Sequence, residues 1–230
     1  MNEANSSGVL TETHLHTAEG SSCARVPAKE IAALYKNAGY GGIVVTDHWG
    51  KSKLERYRGD AKEKNARWLE GYRTVHETGS QMGLRVFFGL ELALDAGPED
   101  FLVYGLKETF VDEHTDLYHY PIAEVYAAID AAGGLIFQAH PYRIGQRPQP
   151  PECLHGMEIF NGNPRHQSHN DDAAAYAAKH GLLTSAGSDF HEYEDLARGG
   201  IFLPESVTSE ARLAEYLKSG RAAVYVADRG

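Results

Sequence analysis

Five short apolar segments of this chain each end on residues that bind metals. The segments are of strand length, and the side chains that follow them are imidazoles and carboxylates, the ligands of zinc, manganese and iron. They end at Thr13-His14-Leu15-His16, Thr46-Asp47-His48, Leu90-Glu91, Gln138-Ala139-His140 and Gly187-Ser188-Asp189-Phe190-His191. Because the carboxyl ends of parallel strands in a barrel open on one face, these side chains are expected to meet there. The sequence therefore predicts a metal centre.

Strand-like and helical segments alternate along the chain. Seven apolar segments bounded by turn residues are predicted as strands, at 9–13, 42–47, 84–91, 101–106, 135–140, 157–161 and 182–188. Amphipathic segments between them are predicted as helices, at 28–38, 61–79, 123–132 and 170–180. This alternation is typical of an α/β fold with a parallel sheet, and closure of such a sheet gives a barrel. A closing strand-helix-strand segment at 199–226 is assigned to the same domain.

Composition limits the partners and the compartment. The 230 residues include 42% hydrophobic ones, which favours a single globular domain over 1–230. A net charge of -10 disfavours a nucleic-acid groove or an anionic membrane as the main partner. Cys23 and Cys153 are too few for a disulfide scaffold and are interpreted as reduced thiols. Without a signal peptide or an apolar run of ~20 residues, we expect a cytoplasmic protein that does not enter a membrane. The oligomeric state is left open.

His14 and His16 have a spacing that favours a shared ion. Residues two apart on a strand point to the same side, so both imidazoles can face the barrel axis. The pair alone equally fits one core histidine and one surface partner. The other ligand-type residues at strand ends favour the metal interpretation.

Together these motifs resemble those of a known family. His14-Leu15-His16-Thr17, Thr46-Asp47-His48, Glu91, Ala139-His140-Pro141 and Gly187-Ser188-Asp189-Phe190-His191 are similar, in order, to the signature of the polymerase and histidinol phosphatase (PHP) superfamily. The resemblance extends from about Glu12 to His191. It implies a distorted seven-stranded (β/α)7 TIM-like barrel, two or three divalent transition-metal ions (Zn, Mn or Fe) and hydrolysis of phosphoesters.

The resemblance also implies individual ligands. His14, His16, Glu91 and Asp189 are expected to hold one ion, with Glu91 bridging to a second ion held by His140. His48 and His191 are expected to contribute to a third, and Glu19 is the candidate that completes that set. The chain departs from the family at two places. Family members often carry an aspartate or histidine five or six residues after the second histidine, but Ser21 and Ser22 occupy these positions here. Many members also have a histidine just after the fourth strand, where this chain has Lys107.

These expectations predict a metal-dependent phosphoesterase acting on a small phosphorylated metabolite through a metal-activated hydroxide. Asp189 is the catalytic candidate that accepts a proton from the attacking water, and Arg143 is the candidate that grips the phosphate. Asp47 either orients a ligand histidine or caps a turn. The roles of Lys107 and Arg147 stay open, as do those of Asn161 and Asn163. Alternatives are a metal-dependent hydrolase of a non-phosphate amide or ester and a non-catalytic, metal-stabilised binding domain.

Overall fold

A curved mixed sheet organises the structure, a computed structural model that describes residues 8–227. The strands are β1 Val9–Leu15, β2 Gly42–Val45, β3 His48–Trp49, β4 Arg85–Ala93, β5 Asp100–Tyr104, β6 Leu135–Gln138, β7 Gly156–Asn161, β8 Leu183–Gly187, β9 Gly199–Leu203 and β10 Ala223–Val226. The seven strands predicted from the sequence all form, and so do both strands of the closing segment.

The sheet forms a nearly closed barrel. Its order is β10-β9-β1-β2-β4-β5-β6-β7-β8, with the two-residue β3 beside β4. Beyond β8 the chain returns to β1, where Leu15 pairs in parallel with Phe190 and the amide of His16 donates to the Phe190 carbonyl at 2.9 Å. This contact brings the segment after β8 against the end of β1. The sheet path has nine strands, so the predicted (β/α)7 pattern is reproduced only in part.

The prediction of a wholly parallel sheet is wrong around β5. This strand pairs antiparallel with both β4 and β6, and β9 likewise runs antiparallel to β1 and β10. The connection from β4 to β5 spans only residues 94–99. A parallel crossover needs a dozen or more residues, so the chain reverses direction instead. The amino end of β5, at Asp100, therefore lies beside the carboxyl ends of the parallel strands.

Helices pack around this sheet. They are α1 Ala28–Asn37, α2 Lys51–Leu54, α3 Ala61–Trp68, α4 Glu70–Gln81, α5 Phe110–Glu113, α6 Ile122–Ala131, α7 Asn170–His180 and α8 Glu210–Lys218. The single helix predicted over 61–79 is divided at Leu69. The amino end of α3 forms a capping box between Asp60 and Glu63, which satisfies amides that the helix itself leaves unpaired.

Apolar side chains fill the space between sheet and helices, while the carboxyl ends of the parallel strands carry polar ones. Buried Tyr35, Trp68 and Phe137 are among the largest members of the core. Burial of such aromatic surface supplies most of the driving force for folding. Within residues 8–227, no helix has both the length and the apolar character needed to cross a membrane.

Candidate metal centre

Seven of the eight predicted metal ligands converge at one end of the barrel. His14 lies near the end of β1 and His16 directly follows it, His48 begins β3, Glu91 lies in the last part of β4, and the other three follow β6 and β8. His14, His16, Glu91, His140 and Asp189 are almost completely buried. Buried polar groups at this density are costly unless they are paired or bind a metal. Their convergence indicates a metal-binding site.

Glu91 is the central carboxylate. Its Oε1 lies 3.1 Å from Nε2 of His140 and 3.4 Å from Nε2 of His14. Its Oε2 lies 2.9 Å from Nδ1 of His48 and 3.3 Å from Nε2 of His16. Each oxygen therefore faces a different pair of imidazole nitrogens. The parallel pairing of β3 with β4, which sets His48 opposite Glu91, produces part of this arrangement.

The potential ligand atoms form overlapping groups, in each of which the atoms lie within 4.8 Å of one another. One group, called here the imidazole triad, contains His16, His48 and His191. The other groups, called here the carboxylate side, are His14 with Glu91 and His140, His14 with His16 and Asp189, and His48 with Glu91 and Asp100.

Several of these ligand atoms lack the partners that buried polar atoms normally have. Nε2 of His14, Nε2 of His16, Nδ1 of His48 and Oε2 of Glu91 are buried with no well-formed hydrogen bond to any group in residues 8–227. Buried polar atoms are almost always satisfied in folded proteins. Orphaned nitrogens and a carboxylate oxygen that face a common space suit divalent transition-metal ions.

The pKa shifts of Glu91, Asp189 and His16 favour cation binding, whereas neighbouring carboxylates, against the effect of burial, raise the pKa values of His14, His48 and His140. Burial opposes the ionisation of Glu91, but the imidazoles of His48 and His14 hold its pKa well below the ordinary value. Burial likewise opposes the ionisation of Asp189, and His14, His16 and Arg143 among others hold its pKa well below the ordinary value. Burial and the neighbouring imidazoles of the triad hold the pKa of His16 well below its ordinary value. Anionic carboxylates and a neutral imidazole are the forms that bind metals.

Local backbone geometry aims the ligands. His140 and Asp189 both have positive φ angles, 29° and 51°, which are uncommon for residues with a side chain and occur mainly where a function depends on them. Close packing beside β1 explains the glycine of the last motif, since a Cβ on Gly187 would lie 2.4 Å from Cβ of His14. Asn163 holds the segment from the other side by donating to the Asp189 carbonyl at 2.9 Å.

A second layer of hydrogen bonds orients the carboxylate side. The buried Glu158 accepts from the amide of His140 at 2.9 Å and lies 2.8 Å from Nδ1 of His14. Asn161 donates to the same carboxylate at 3.0 Å. Gln146 lies 2.9 Å from Nδ1 of His140. Such partners fix the tautomer and the ring orientation of ligand histidines.

Asp47 has a positioning role that is one step removed from the ligands. It accepts hydrogen bonds from the amide and hydroxyl of Thr17, both at 2.7 Å, and from the hydroxyl of Ser21 at 2.8 Å. The same hydroxyl lies 3.1 Å from Nδ1 of His16 and accepts from the amide of His48 at 2.9 Å. Asp47 thus positions His16 through Ser21.

Arg143 enters the site from the loop after β6. Its guanidinium donates to Oδ2 of Asp189 at 2.6 Å and to Oδ1 of Asn161 at 3.1 Å. Its Nε is buried and finds no acceptor within the described part of the chain. The side chain is thus held in place through one of its terminal nitrogens while its buried Nε stays uncommitted.

Three residues that the sequence offered for the site lie elsewhere. Glu19, the expected ligand of a third ion, is in none of the ligand groups of residues 8–227, and its Oε2 accepts from the Ala28 amide at 2.9 Å at the start of α1. Lys107 follows the antiparallel β5 and so lies at the opposite end of the barrel, near Tyr72. Arg147 is exposed.

The structure also brings in residues that sequence reasoning missed. Asp100 joins His48 and Glu91, and burial, together with the charge of Glu91, raises its pKa to about 6. Cys23 lies against His191 and His48. Burial opposes ionisation of its thiol, but hydrogen bonding to these two imidazoles lowers the pKa of Cys23 to about 6. Glu158, which orients His14 and His140, was also missed. A charged residue inside an otherwise apolar strand was the sequence signal that could have identified it.

Comparisons with known proteins agree with this geometry. The PHP-associated family model (PHP_C) matches residues 167–222, and no curated protein matches the chain. A two-domain protein from Bacteroides vulgatus ATCC 8482 containing a predicted PHP-like metal-dependent phosphoesterase superposes with a TM-score of 0.72 at 17% identity. The superposition covers 95% of this chain and 64% of that chain, so this chain spans less than two thirds of that protein.

Two further structures share the fold. PsfC from Pseudomonas syringae PB-5123 superposes with a TM-score of 0.68 at 18% identity, over 95% of this chain and 91% of that one. PfuEndoQ, a lesion-specific endonuclease from Pyrococcus furiosus, superposes with a TM-score of 0.60 at 13% identity, over 94% and 57% of the two chains. The match to the PHP-associated family model is confined to residues 167–222, and these solved structures, all less than 25% identical to the chain, show a shared fold.

Proposed function

We propose that this chain is a metal-dependent phosphoesterase that hydrolyses a small phosphorylated metabolite at a di- or trinuclear centre. The observation that carries the proposal is the position of Glu91, whose two oxygens face separate pairs of imidazole nitrogens. A carboxylate so placed is suited to bridge two cations. The ligands that we assign are the seven convergent residues His14, His16, His48, Glu91, His140, Asp189 and His191.

The donor set fits zinc, manganese or iron, since imidazole nitrogens and carboxylate oxygens suit all three. When bound, paired ions supply an activated water and stabilise negative charge on the phosphoryl oxygens. The protein's own part is to fix the ligands and to exclude bulk water, which the burial of Glu91 and His14 accomplishes.

Arg143 is our candidate for gripping the phosphate. The chain carries a net charge of -10, and the site contains Glu91, Asp100 and Asp189, so an anionic substrate needs a local cation besides the ions. The guanidinium is anchored by Asp189 and Asn161, yet its Nε has no acceptor in residues 8–227. An anchored guanidinium with a free donor can bind a phosphate oxygen without first losing side-chain freedom.

Asp189 is our candidate for accepting the proton of the attacking water. Its Oδ1 lies 3.4 Å from Nε2 of His14 and 3.6 Å from Nε2 of His16, among the ligand atoms. Its Oδ2 is held by Arg143, beside the proposed phosphate position. One side chain therefore connects the ligand cluster to the substrate side.

We also propose that residues 1–230 act as one catalytic domain in the cytoplasm. Cys23 and Cys153 are both free thiols in the structure, which suits a reducing compartment. Nucleic acid is a less suitable substrate than a small metabolite because the chain is acidic, although one structural neighbour is an endonuclease.

The test combines metal analysis with a substrate panel. The purified protein is assayed for bound transition metals and for turnover of phosphorylated metabolites, beside carboxylic esters and amides of matched leaving groups. We expect at least two ions per chain and turnover confined to phosphoesters. A folded, active sample with one ion or none contradicts the metal assignment, and turnover of the non-phosphate substrates alone supports the amide or ester hydrolase instead.

A further inference from the structure

The barrel has a seam between β1 and β8. Within residues 8–227 no regular ladder joins these two strands, and the segment after β8 meets β1 through the bridge of Leu15 with Phe190. Two backbone hydrogen bonds flank this bridge, from His16 to Phe190 at 2.9 Å and from Phe190 to His14 at 3.2 Å. Asp189 lies at the seam with a φ of 51°. Backbone pairing alone thus does little to fix the spacing of the ligands on the two sides.

The side chain of Glu12, on β1, connects the two sides of the seam. Glu12 is completely buried, and its Oε1 accepts from three amides at 2.9 Å, those of Thr13, His14 and Ser188. Its Oε2 accepts from the hydroxyl of Ser188 and, at 3.0 Å, from that of Tyr35 on α1. One carboxylate therefore takes the place that strand carbonyls have in a regular ladder.

Ser188 is held by every hydrogen-bonding group that it has in this network. Its Oγ accepts from the amides of Arg198 at 2.9 Å and Gly199 at 3.1 Å, at the start of β9. A hydroxyl oxygen has two lone pairs, so both are occupied and the hydroxyl proton is directed to Glu12. The amide of Ser188 donates to the same carboxylate. The main chain that leads into Asp189 is thereby fixed relative to β1.

The seam separates ligands of the same predicted ion. Oδ1 of Asp189 lies 3.4 Å from Nε2 of His14 and 3.6 Å from Nε2 of His16, and the three residues form one of the ligand groups. Distances from a metal to its ligands vary by only about 0.2 Å. Glu12 holds the amide of one ligand, His14, and the residue that precedes another, Asp189. A change at this carboxylate should therefore reach the ligand geometry directly.

We propose that Glu12 is a positioning residue that sets the spacing between β1 and Asp189, and with it the geometry of the ion bound across the seam. This inference rests on the metal centre of the proposed function and adds a residue that contacts neither ion nor substrate. Loss of such an outer partner weakens metal binding by about 10- to 100-fold. Because Asp189 is also the proposed proton acceptor, a changed spacing should lower kcat more than it raises KM.

Three variants of the network separate positioning from stability alone. Glu12→Gln replaces the carboxylate by an amide, which cannot accept at both of its ends. Ser188→Ala removes the hydroxyl that links Oε2 to the Asp189 side. Tyr35→Phe is the matched control, because it removes a hydroxyl from the same oxygen without touching that side. Metal-free protein of each variant is titrated with Co²⁺, the visible absorption of the bound ion is recorded as a report of its ligand geometry, and unfolding in urea is followed.

We expect all three variants to have lower urea midpoints than wild type, since each loses a buried hydrogen bond. Only Glu12→Gln and Ser188→Ala should change the cobalt spectrum and lower the affinity at one site by about 10- to 100-fold. Tyr35→Phe should keep the spectrum and the affinity of wild type. If Glu12→Gln does not fold, the comparison of Ser188→Ala with Tyr35→Phe decides by the same criteria.

Two results would overturn the inference while the proposed function stands. In the first, Glu12→Gln and Ser188→Ala keep the cobalt spectrum and affinity of wild type despite their lower stability. In the second, Tyr35→Phe changes both as much as Ser188→Ala does, so that the metal site responds to stability alone. If wild type binds no transition metal, the proposed function and the inference are both overturned.

Discussion

The two sides of the metal centre are built from different kinds of structure. On the carboxylate side, His14 and His140 are fully enclosed and are both tied to the buried Glu158. In the imidazole triad, His48 and His191 each keep 12% of their side chains exposed. His191 of the triad is held by the loop that follows β8.

This difference predicts different affinities for the ions. Ligands held by a buried hydrogen-bond network lose little freedom when an ion binds, whereas ligands held by a loop must be ordered. An ion on the carboxylate side is therefore expected to stay bound through purification, and the ion at the triad to exchange more readily. Glu91 connects the two sides, because one of its oxygens faces each.

The largest effect is expected from Glu91→Ala. Removal of the carboxylate takes a ligand from both sides at once, so we expect loss of activity and of more than one bound ion. His191→Ala is the matched comparison, because it removes a ligand of the triad alone and should cost a single ion. Metal analysis and turnover of the same samples measure both effects. If Glu91→Ala kept all its metal, the two sides would not be joined by this residue.

A smaller effect is expected from Arg143→Ala. Loss of a charge-assisted hydrogen bond to phosphate costs about 1.5 to 3 kcal/mol, or roughly 10- to 150-fold in kcat/KM. Arg143→Lys should recover only part, since an ammonium cannot make the two-pronged contact. Arg147→Ala, on the same loop but exposed, is the control and should match wild type.

The contact between Arg143 and Asp189 requires one further measurement. If the arginine acts only by holding Asp189, the metal content of Arg143→Ala should fall together with its activity. A phosphate-binding role instead predicts unchanged metal and a loss confined to phosphoesters. Wild-type phosphoesterase activity in Arg143→Ala would refute the role assigned to it.

Much of the fold and of the centre is predictable from local sequence. Apolar segments bounded by glycine, proline or polar residues identify the strands. The ligands that follow them, such as His140 and Asp189, are then found from the few residues at each strand end. What local patterns do not contain is the direction of a strand. Asp100 was missed because β5 was taken as parallel, which places its first residue at the opposite end of the barrel.

The hydrogen bond of Glu19 to the start of α1 was not predictable for a related reason. Glu19 is only three residues beyond His16 along the chain, and a carboxylate is a common metal ligand. Which side chain faces the triad depends on how the loop at 17–26 closes through Ala18 and Val26, and that closure depends on a distant pair, Ser21 with Asp47. Nonlocal hydrogen bonds of this kind are not encoded in any short motif.

Glu158→Gln tests whether the carboxylate side is the more strongly held one. The carboxylate accepts from the His140 amide, from Asn161 and from Nδ1 of His14 in its donating tautomer, and an amide cannot accept at both of its ends. Metal affinity on this side should fall by about 10- to 100-fold. Asp47→Asn is the counterpart for the triad, because Asp47 acts through Ser21 on His16. Zinc titration that showed the same affected site in both variants would remove the distinction between the two sides.

The smallest effect is expected from Glu19→Ala, because the structure gives this carboxylate a contact at the start of α1. The helix α1 follows Pro27, which provides no side-chain cap, so the Ala28 amide depends on Oε2 of Glu19. Loss of such a cap costs about 0.5 to 2 kcal/mol of folding free energy. We therefore expect a lower urea midpoint, with metal content and kcat unchanged. Loss of a bound ion in Glu19→Ala would contradict this structural role and return the carboxylate to the triad.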